Sequence, residues 1–413
     1  MNNFKENLFN KDVMSLETYI MFELKEQTNK LAPELKAKNR SPISLSMGAP
    51  TANPPKFITE RLKSILDEDG IHTYSTPKGE EYFRKAIATR MKNRFGVELN
   101  HNTEIFSLVG SKEGISNLMR FLITQKETDK DIIMIPDPCY ASYMQFIQCA
   151  GGLAYQIPLT PQNNYMPNFD EVFDNFIKDR YNPNNLKALV INYPNNPLGA
   201  SATREYVQSA VDFCKKHKIL LISDLAYGDL YFSEDEKPFS VLELDGAKDI
   251  AVEFHSFSKP YAITGWRLGW VCGNEFVVQR LGKGKSTVDN GIFKALQKAC
   301  AEILNSKEGD EYIVEGNLGY KRKQQIVVNG FKELGWNIEK VPQTTFYLWL
   351  PIPRKYKTSM EFCKDLLKTS GIVIVPGTAF GKCGEGYFRL SYVCSDEQLQ
   401  EVIDRMKADG FYY

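Results

Sequence analysis

Glu253-Phe254-His255-Ser256-Phe257-Ser258-Lys259-Pro260-Tyr261-Ala262-Ile263-Thr264-Gly265-Trp266-Arg267-Leu268-Gly269-Trp270 is the stretch on which the reading of this chain turns. The largely apolar run Ile250 to Phe254 leads into Ser256, Ser258 and Lys259, a turn containing Gly265 follows, and Arg267 opens a second apolar run, Leu268 to Cys272. Runs of this length bounded by turn residues predict two short buried strands joined by a loop. The loop presents two serine hydroxyls, one lysine and, eight residues after the lysine, an arginine. Aromatic shelter and neighbouring cations lower a lysine's pKa, and the free amine then condenses with an aldehyde to a Schiff base. The fork of an arginine suits a phosphate.

The same texture extends outward. Apolar runs at 105–109, 132–135, 153–157, 188–191 and 219–222 precede the opening stretch, and amphipathic segments such as 115–123, 143–149, 169–177 and 206–214 separate most of them. Short buried strands alternating with helices predict an α/β fold, with a mainly parallel seven-stranded sheet between helices. Helices are expected over 13–38, on both sides of 72–79, and over 276–281, 293–304 and 312–334. A smaller α+β region follows, with strands near 336–341, 346–350, 373–375 and 387–392 and helices near 360–368 and 396–407. The expected division is an N-terminal segment, 1–48, packing with the small domain; a large domain, 49–300; and a small C-terminal α+β domain, 301–413.

Ligands of parallel sheets lie outside the carboxyl ends of the strands, so the residues just after each run carry the functional reading. Gly110-Ser111-Lys112-Glu113-Gly114 opens a helix and offers backbone N–H groups, a hydroxyl and an ammonium to an anion. Tyr140 follows the next run, where a tyrosine either stacks on a flat ring or packs in the core; Asn195 and Asn196 sit in a rigid turn between Pro194 and Pro197. Asp224 stands at the mouth of a buried strand, where a carboxylate needs a positive partner such as a protonated pyridine nitrogen. With Lys259 and Arg267, aldehyde chemistry lies beside a phosphate site, and the ligand that matches is pyridoxal phosphate (PLP).

These motifs resemble the fold-type-I PLP-dependent aminotransferases of the aspartate aminotransferase family, over roughly residues 40–400. The resemblance rests on Ser256-Phe257-Ser258-Lys259 with Arg267 in Gly265-Trp266-Arg267-Leu268-Gly269, on Asn195-Asn196-Pro197-Leu198-Gly199, and on Asp224 with Tyr227. Leu198 departs from the usual threonine of that motif. The resemblance implies that Lys259 bonds the cofactor and shuttles the α-proton, that Asp224 pairs with the ring nitrogen, and that Tyr140 stacks on the ring. Asn196 and Tyr227 would bond the ring's phenolic oxygen, and Ser111, Lys112, Ser256 and Arg267 the phosphate. Tyr74 would reach the phosphate from a partner subunit, implying a homodimer with shared active sites. Gly48, Asn196 and Arg389 would take the substrate carboxylate. The texture of 110–114, 255–259 and 289–293 is closest to the LL-diaminopimelate aminotransferase branch, so the implied reaction is ping-pong exchange between an L-amino acid and a 2-oxo acid. LL-diaminopimelate or glutamate/2-oxoglutarate are favoured, with aspartate, alanine, methionine and aromatic amino acids as alternatives. A PLP-dependent β-C–S lyase is the alternative reaction on the same fold.

Bulk properties agree. The chain has 413 residues, longer than one typical domain, with 51 basic and 51 acidic side chains. No net field recruits nucleic acid or an anionic membrane. No signal peptide or membrane span is read, and eight scattered cysteines and four dispersed histidines form no metal motif, so a cytoplasmic protein without a metal is expected. Gly282-Lys283-Gly284-Lys285-Ser286 ends like a phosphate loop, but Gln279 stands where the pattern needs glycine, and its lysines read as a solvated helix end.

Overall fold

The computed structural model describes residues 10–16 and 20–413. Every apolar run of the large sheet becomes a strand: β2 (Ile105–Leu108), β3 (Ile132–Asp137), β4 (Leu153–Pro158), β5 (Leu186–Ile191), β6 (Leu220–Asp224), β7 (Ala251–Ser256) and β8 (Gly269–Gly273), after a short β1 (Ile43–Ser44). The seven form one sheet in the order β2-β8-β7-β6-β5-β3-β4. β8 is antiparallel to both neighbours and every other pair is parallel.

The inner strands are rich in apolar residues because both faces of the sheet are covered. Side chains alternate between two cores, as the two-residue period of a strand requires. Ile133, Ile135, Ala188 and Val190 enter one core, and Ile132, Met134, Leu189 and Ile191 the other. Edge strand β4 has a solvent-facing side, and its Leu153 is exposed.

A second core gathers around β9 (Tyr347–Pro351), β10 (Ile372–Val373), β11 (Val375–Pro376) and β12 (Tyr387–Ser391). β12 lies antiparallel between β11 and β9, while β10 pairs in parallel with β1, Ile43 opposite Ile372. The single strand expected at 373–375 is thus broken at Ile374 and serves two sheets. The strand expected at 336–341 does not form. Gly335, at φ +99°, turns the chain out of the preceding helix, Trp336 N–H returns to Phe331 O at 3.0 Å, and the Trp336 indole donates to Pro351 O at 2.8 Å. Trp336 and Ile338 are buried, so the apolar alternation reflects packing without a ladder.

Helices expected from periodicity appear at Lys56–Ile65, Glu81–Phe95, Glu275–Lys285, Lys294–Leu304, Ser359–Ser370 and Asp396–Ala408. The helical reading of 13–38 corresponds to Lys11–Met14 and Ile20–Ala37, its positions 17–19 lying outside the described residues. Helix Lys307–Glu333, 27 residues and so about 40 Å long, has Ile313 in the core of the large sheet and Val327 and Phe331 in the second core.

Candidate active site

The sheet topology brings the chemistry to one edge. Asp137, Ile191, Asp224 and Ser256 end β3, β5, β6 and β7. Because β8 runs the other way, Arg267, two residues before it, arrives at the same edge. A cavity of about 420 Å³ opens there. Gly48, Ser111, Lys112, Tyr140, Asn196 and Asp224 line it, as do Tyr227, Ser256, Lys259, Arg267 and Arg389. Tyr74 does not. It is 83% exposed, on a loop held from below by Lys294 Nζ on Thr73 Oγ1 at 2.6 Å and Gln297 Nε2 on Ser75 Oγ at 2.9 Å.

One end of the cavity is built for an anion. Helix Ser111–Leu122 starts from Gly110 with no side-chain cap, leaving its first N–H groups without an intrahelical acceptor. A Cβ on Gly110, whose φ is +80°, would stand 2.3 Å from Arg267 Nη2, so only glycine lets the guanidinium approach this turn. Arg267 itself is held at φ +57°, a strained region for a bulky residue. Its Nη1 donates to Thr264 O at 2.8 Å and to Ser258 Oγ at 3.4 Å, which aims the fork across the loop that carries Lys259. Ser256 Oγ accepts the Ser258 N–H at 3.1 Å and tightens that loop.

The deep wall carries the carboxylate. Burial pushes the Asp224 carboxyl above its ordinary pKa, while the Tyr143 hydroxyl, donating to Oδ2 at 2.6 Å, and the Ala226 N–H, at 3.3 Å from Oδ1, favour the ionised form. Asn192 Nδ2 donates to Asp224 O at 2.8 Å, and its Oδ1 accepts the Asn196 N–H at 3.0 Å, so one amide fixes both neighbouring strand ends. Across the cavity Lys259 Nζ donates to Gly48 O at 2.6 Å. Burial, with Arg389 and Arg267 close by, pushes its pKa down to about 8.

The last wall comes from the second core. Arg389, on β12, is 4% exposed and lies between the rings of Tyr347, 4.4 Å from the guanidinium carbon, and Phe380, 4.7 Å away. Its Nη1 donates to Asn196 Oδ1 at 2.8 Å and its Nη2 to Ser46 O at 2.7 Å, while the buried Nε–H has no acceptor among the described residues. A buried guanidinium N–H without a partner is costly. The Tyr227 and Tyr347 hydroxyls lie 2.8 Å apart, linking the loop after β6 to β9. A Cβ on Gly48 would stand 2.7 Å from the Tyr347 hydroxyl, so glycine makes room for the aromatic wall.

Three residues of this site were not singled out in the sequence. Tyr143 lies three positions after Tyr140, beside Asp224, and that spacing was its only signal. Asn192 is the first residue after β5 and follows from the strand-end rule itself. Tyr347 sits in a uniformly apolar strand and had no signal.

The family model described as aminotransferase class I and II matches residues 40–406. The chain belongs to this family. Similar proteins include LL-diaminopimelate aminotransferase 2 of Trichormus variabilis, 39% identical, with 98% of this chain and 99% of the relative covered. The LL-diaminopimelate aminotransferase of Oleidesulfovibrio alaskensis is 34% identical over 92% of this chain and 94% of its own length. Among solved structures, substrate-bound BacF from Bacillus subtilis is similar at a TM-score of 0.88 and 32% identity, covering 97% of both chains. The protein is therefore a PLP-dependent aminotransferase, and its cavity fits that cofactor. An uncapped helix start and an arginine suit the phosphate, a buried carboxylate suits the ring nitrogen, and a lysine of lowered pKa suits the aldehyde. No helix among the described residues is long and apolar enough to cross a membrane.

Proposed function

We propose that this aminotransferase exchanges the amino group of an L-amino acid with a 2-oxo acid by a ping-pong route, with LL-diaminopimelate and 2-oxoglutarate as the favoured pair. The observation that carries the site reading is that Lys259, Asp224, Arg267 and Arg389 line one cavity. The LL-diaminopimelate aminotransferases related to it over nearly the whole chain support the substrate.

In this reading Lys259, whose pKa is lowered to about 8, would hold the cofactor's aldehyde carbon and would be the base placed to take the substrate Cα proton. The bound cofactor supplies an electron sink for the pair that proton leaves behind. Asp224 would keep the ring nitrogen protonated, Tyr140 would supply an aromatic face for the ring, and Asn196 and Tyr227 would supply hydrogen bonds to its phenolic oxygen. Ser111, Lys112, Ser256 and Arg267 would hold the phosphate and so anchor the cofactor independently of Lys259. Arg389, with Gly48 and Asn196, takes the substrate carboxylate and turns the Cα–H bond toward the lysine. Positioned proton transfer of this kind contributes typically about 10²- to 10⁴-fold. Tyr74, exposed on its own chain, would complete the phosphate site of a second copy, giving a homodimer. The same reading assigns 49–300 to a cofactor-binding domain and 301–413 to a small domain joined by 1–48, supported by the β1–β10 pairing, and places the enzyme in the cytoplasm.

The test is a donor panel assayed with 2-oxoglutarate, LL-diaminopimelate included. Glutamate formation from LL-diaminopimelate at the highest kcat/KM is expected. A faster donor elsewhere in the panel refutes the substrate assignment, and release of pyruvate and ammonia without a 2-oxo acid acceptor refutes amino transfer in favour of a lyase.

A further inference from the structure

The glycine- and lysine-rich segment 282–286 is not a solvated helix end at Lys285. That side chain is 0% exposed at the end of helix Glu275–Lys285. Its depth depends on the two glycines before it. A Cβ on Gly282 would stand 2.3 Å from the Phe106 ring and one on Gly284 2.5 Å from the Phe121 ring. The helix backbone therefore lies against β2 and helix Ser111–Leu122 more closely than other residues permit.

From there Lys285 Nζ reaches two carboxylates, Glu113 at 3.3 Å and Asp289. Glu113 stands in the first turn of helix Ser111–Leu122, and its Oε2 accepts the Val109 N–H at 3.0 Å. Val109 is the residue that leads into Gly110 and Ser111, and its carbonyl accepts from Arg267 Nη2 at 3.5 Å. On the other side Asp289 Oδ1 accepts the Gly291 N–H at 2.9 Å. Gly291, at φ +92°, is pressed so close to the Tyr74 loop that a Cβ there would stand 2.4 Å from Thr76 O.

Burial of an ammonium is expensive unless its partners are in place, and removing one partner of a buried pair is more damaging than replacing the pair by apolar groups. Apolar residues would hold three elements together as well. What a charge adds is direction: Glu113 must point at Lys285, and the same carboxylate grips the backbone of the turn on its other oxygen.

We propose that Lys285 is a positioning residue for the phosphate-binding turn: through Glu113 it fixes the Val109–Lys112 backbone in the anion-binding conformation, and through Asp289 it ties that turn to the Tyr74 loop. The inference rests on the proposed reading in which Ser111, Lys112, Ser256 and Arg267 hold the phosphate.

The experiment titrates the cofactor-free enzyme and its Lys285→Met variant with PLP and, separately, with pyridoxal, which has the aldehyde but no phosphate. Binding is followed by the absorbance of the lysine-bound chromophore. The variant should weaken PLP by about tenfold or more while leaving pyridoxal unchanged. Equal effects on both compounds, or none on PLP, overturn the proposal. Should Lys285→Met fail to fold, Glu113→Gln gives the same comparison with Lys285 still neutralised by Asp289, and an unchanged ratio of PLP to pyridoxal affinity overturns it equally. Failure of the unmodified enzyme to bind either compound at Lys259 refutes the cofactor site itself.

Discussion

On the proposed reading Lys259 would capture the cofactor's aldehyde as the neutral amine, so its pKa would set how much of the enzyme is competent to do so. Burial, Arg389 and Arg267 push that pKa from 10.5 to about 8. At pH 7 the neutral fraction is then about 9%, against about 0.03% for an unshifted lysine, a roughly 300-fold gain. The rate of cofactor capture by the cofactor-free enzyme, followed by stopped-flow absorbance, should rise tenfold per pH unit below about 8 and level off above it. Arg267→Gln and Arg389→Gln each remove a nearby positive charge and should move the inflection upward. The sign for stability follows from the same shift. The folded state resists protonation of a buried amine, so between about 8 and 10.5 the unfolded chain binds more protons and stability rises with pH. Below that window both states are protonated and the burial of the charge is fully felt. A capture rate still climbing at pH 10, or an inflection indifferent to both arginine substitutions, would refute the electrostatic account.

Tyr143→Phe removes a hydrogen bond to the buried Asp224 carboxylate. Such charge-assisted bonds contribute about 1.5–3 kcal/mol, so PLP affinity, measured by spectroscopic titration, should fall about tenfold or more. Gly110→Ala forces a side chain onto φ +80° and into Arg267. Loss of about 1–2 kcal/mol in thermal or denaturant unfolding of the cofactor-free chain is expected, together with weaker PLP binding. Arg389→Lys replaces a fork by a point charge that cannot keep both Asn196 and Ser46. KM for the amino donor should rise about 10- to 100-fold with the lysine-bound absorbance unchanged, since on the proposed reading Arg389 takes the substrate carboxylate.

The sheet and its mouth were legible because their determinants are local. Ile132–Ile135 and Ala188–Ile191 are short apolar runs with turn residues behind them, and the strand-end rule points at Asp224 and Lys259 without reference to any distant residue. What was illegible depends on distant pairs. Lys285 stands in a polar run that reads as solvent-facing, and its burial is decided by Phe106 and Phe121, more than 150 residues earlier. Tyr347 becomes part of the site only because β9 packs beside the loop after β6, a contact no periodicity encodes. The failed strand at 336–341 is the same lesson in reverse: Trp336 and Ile338 alternate like strand residues, but a strand also needs a neighbour for its backbone, and the described residues provide none there.

Helix Lys307–Glu333 has a consequence for how such an enzyme can be divided. Its first half is committed to the core under the large sheet and its second half to the core that carries Arg389. A cut before the helix leaves the Lys259 half without Ile313 to close its core; a cut after it leaves Val327 and Phe331 as a bare apolar stripe. Neither half is a portable module. On the proposed reading the lysine that would hold the cofactor and the arginine that would take the carboxylate stand on cores sharing one helix, so exchanging one half of the molecule would expose apolar surface, whereas changing side chains around the mouth would not.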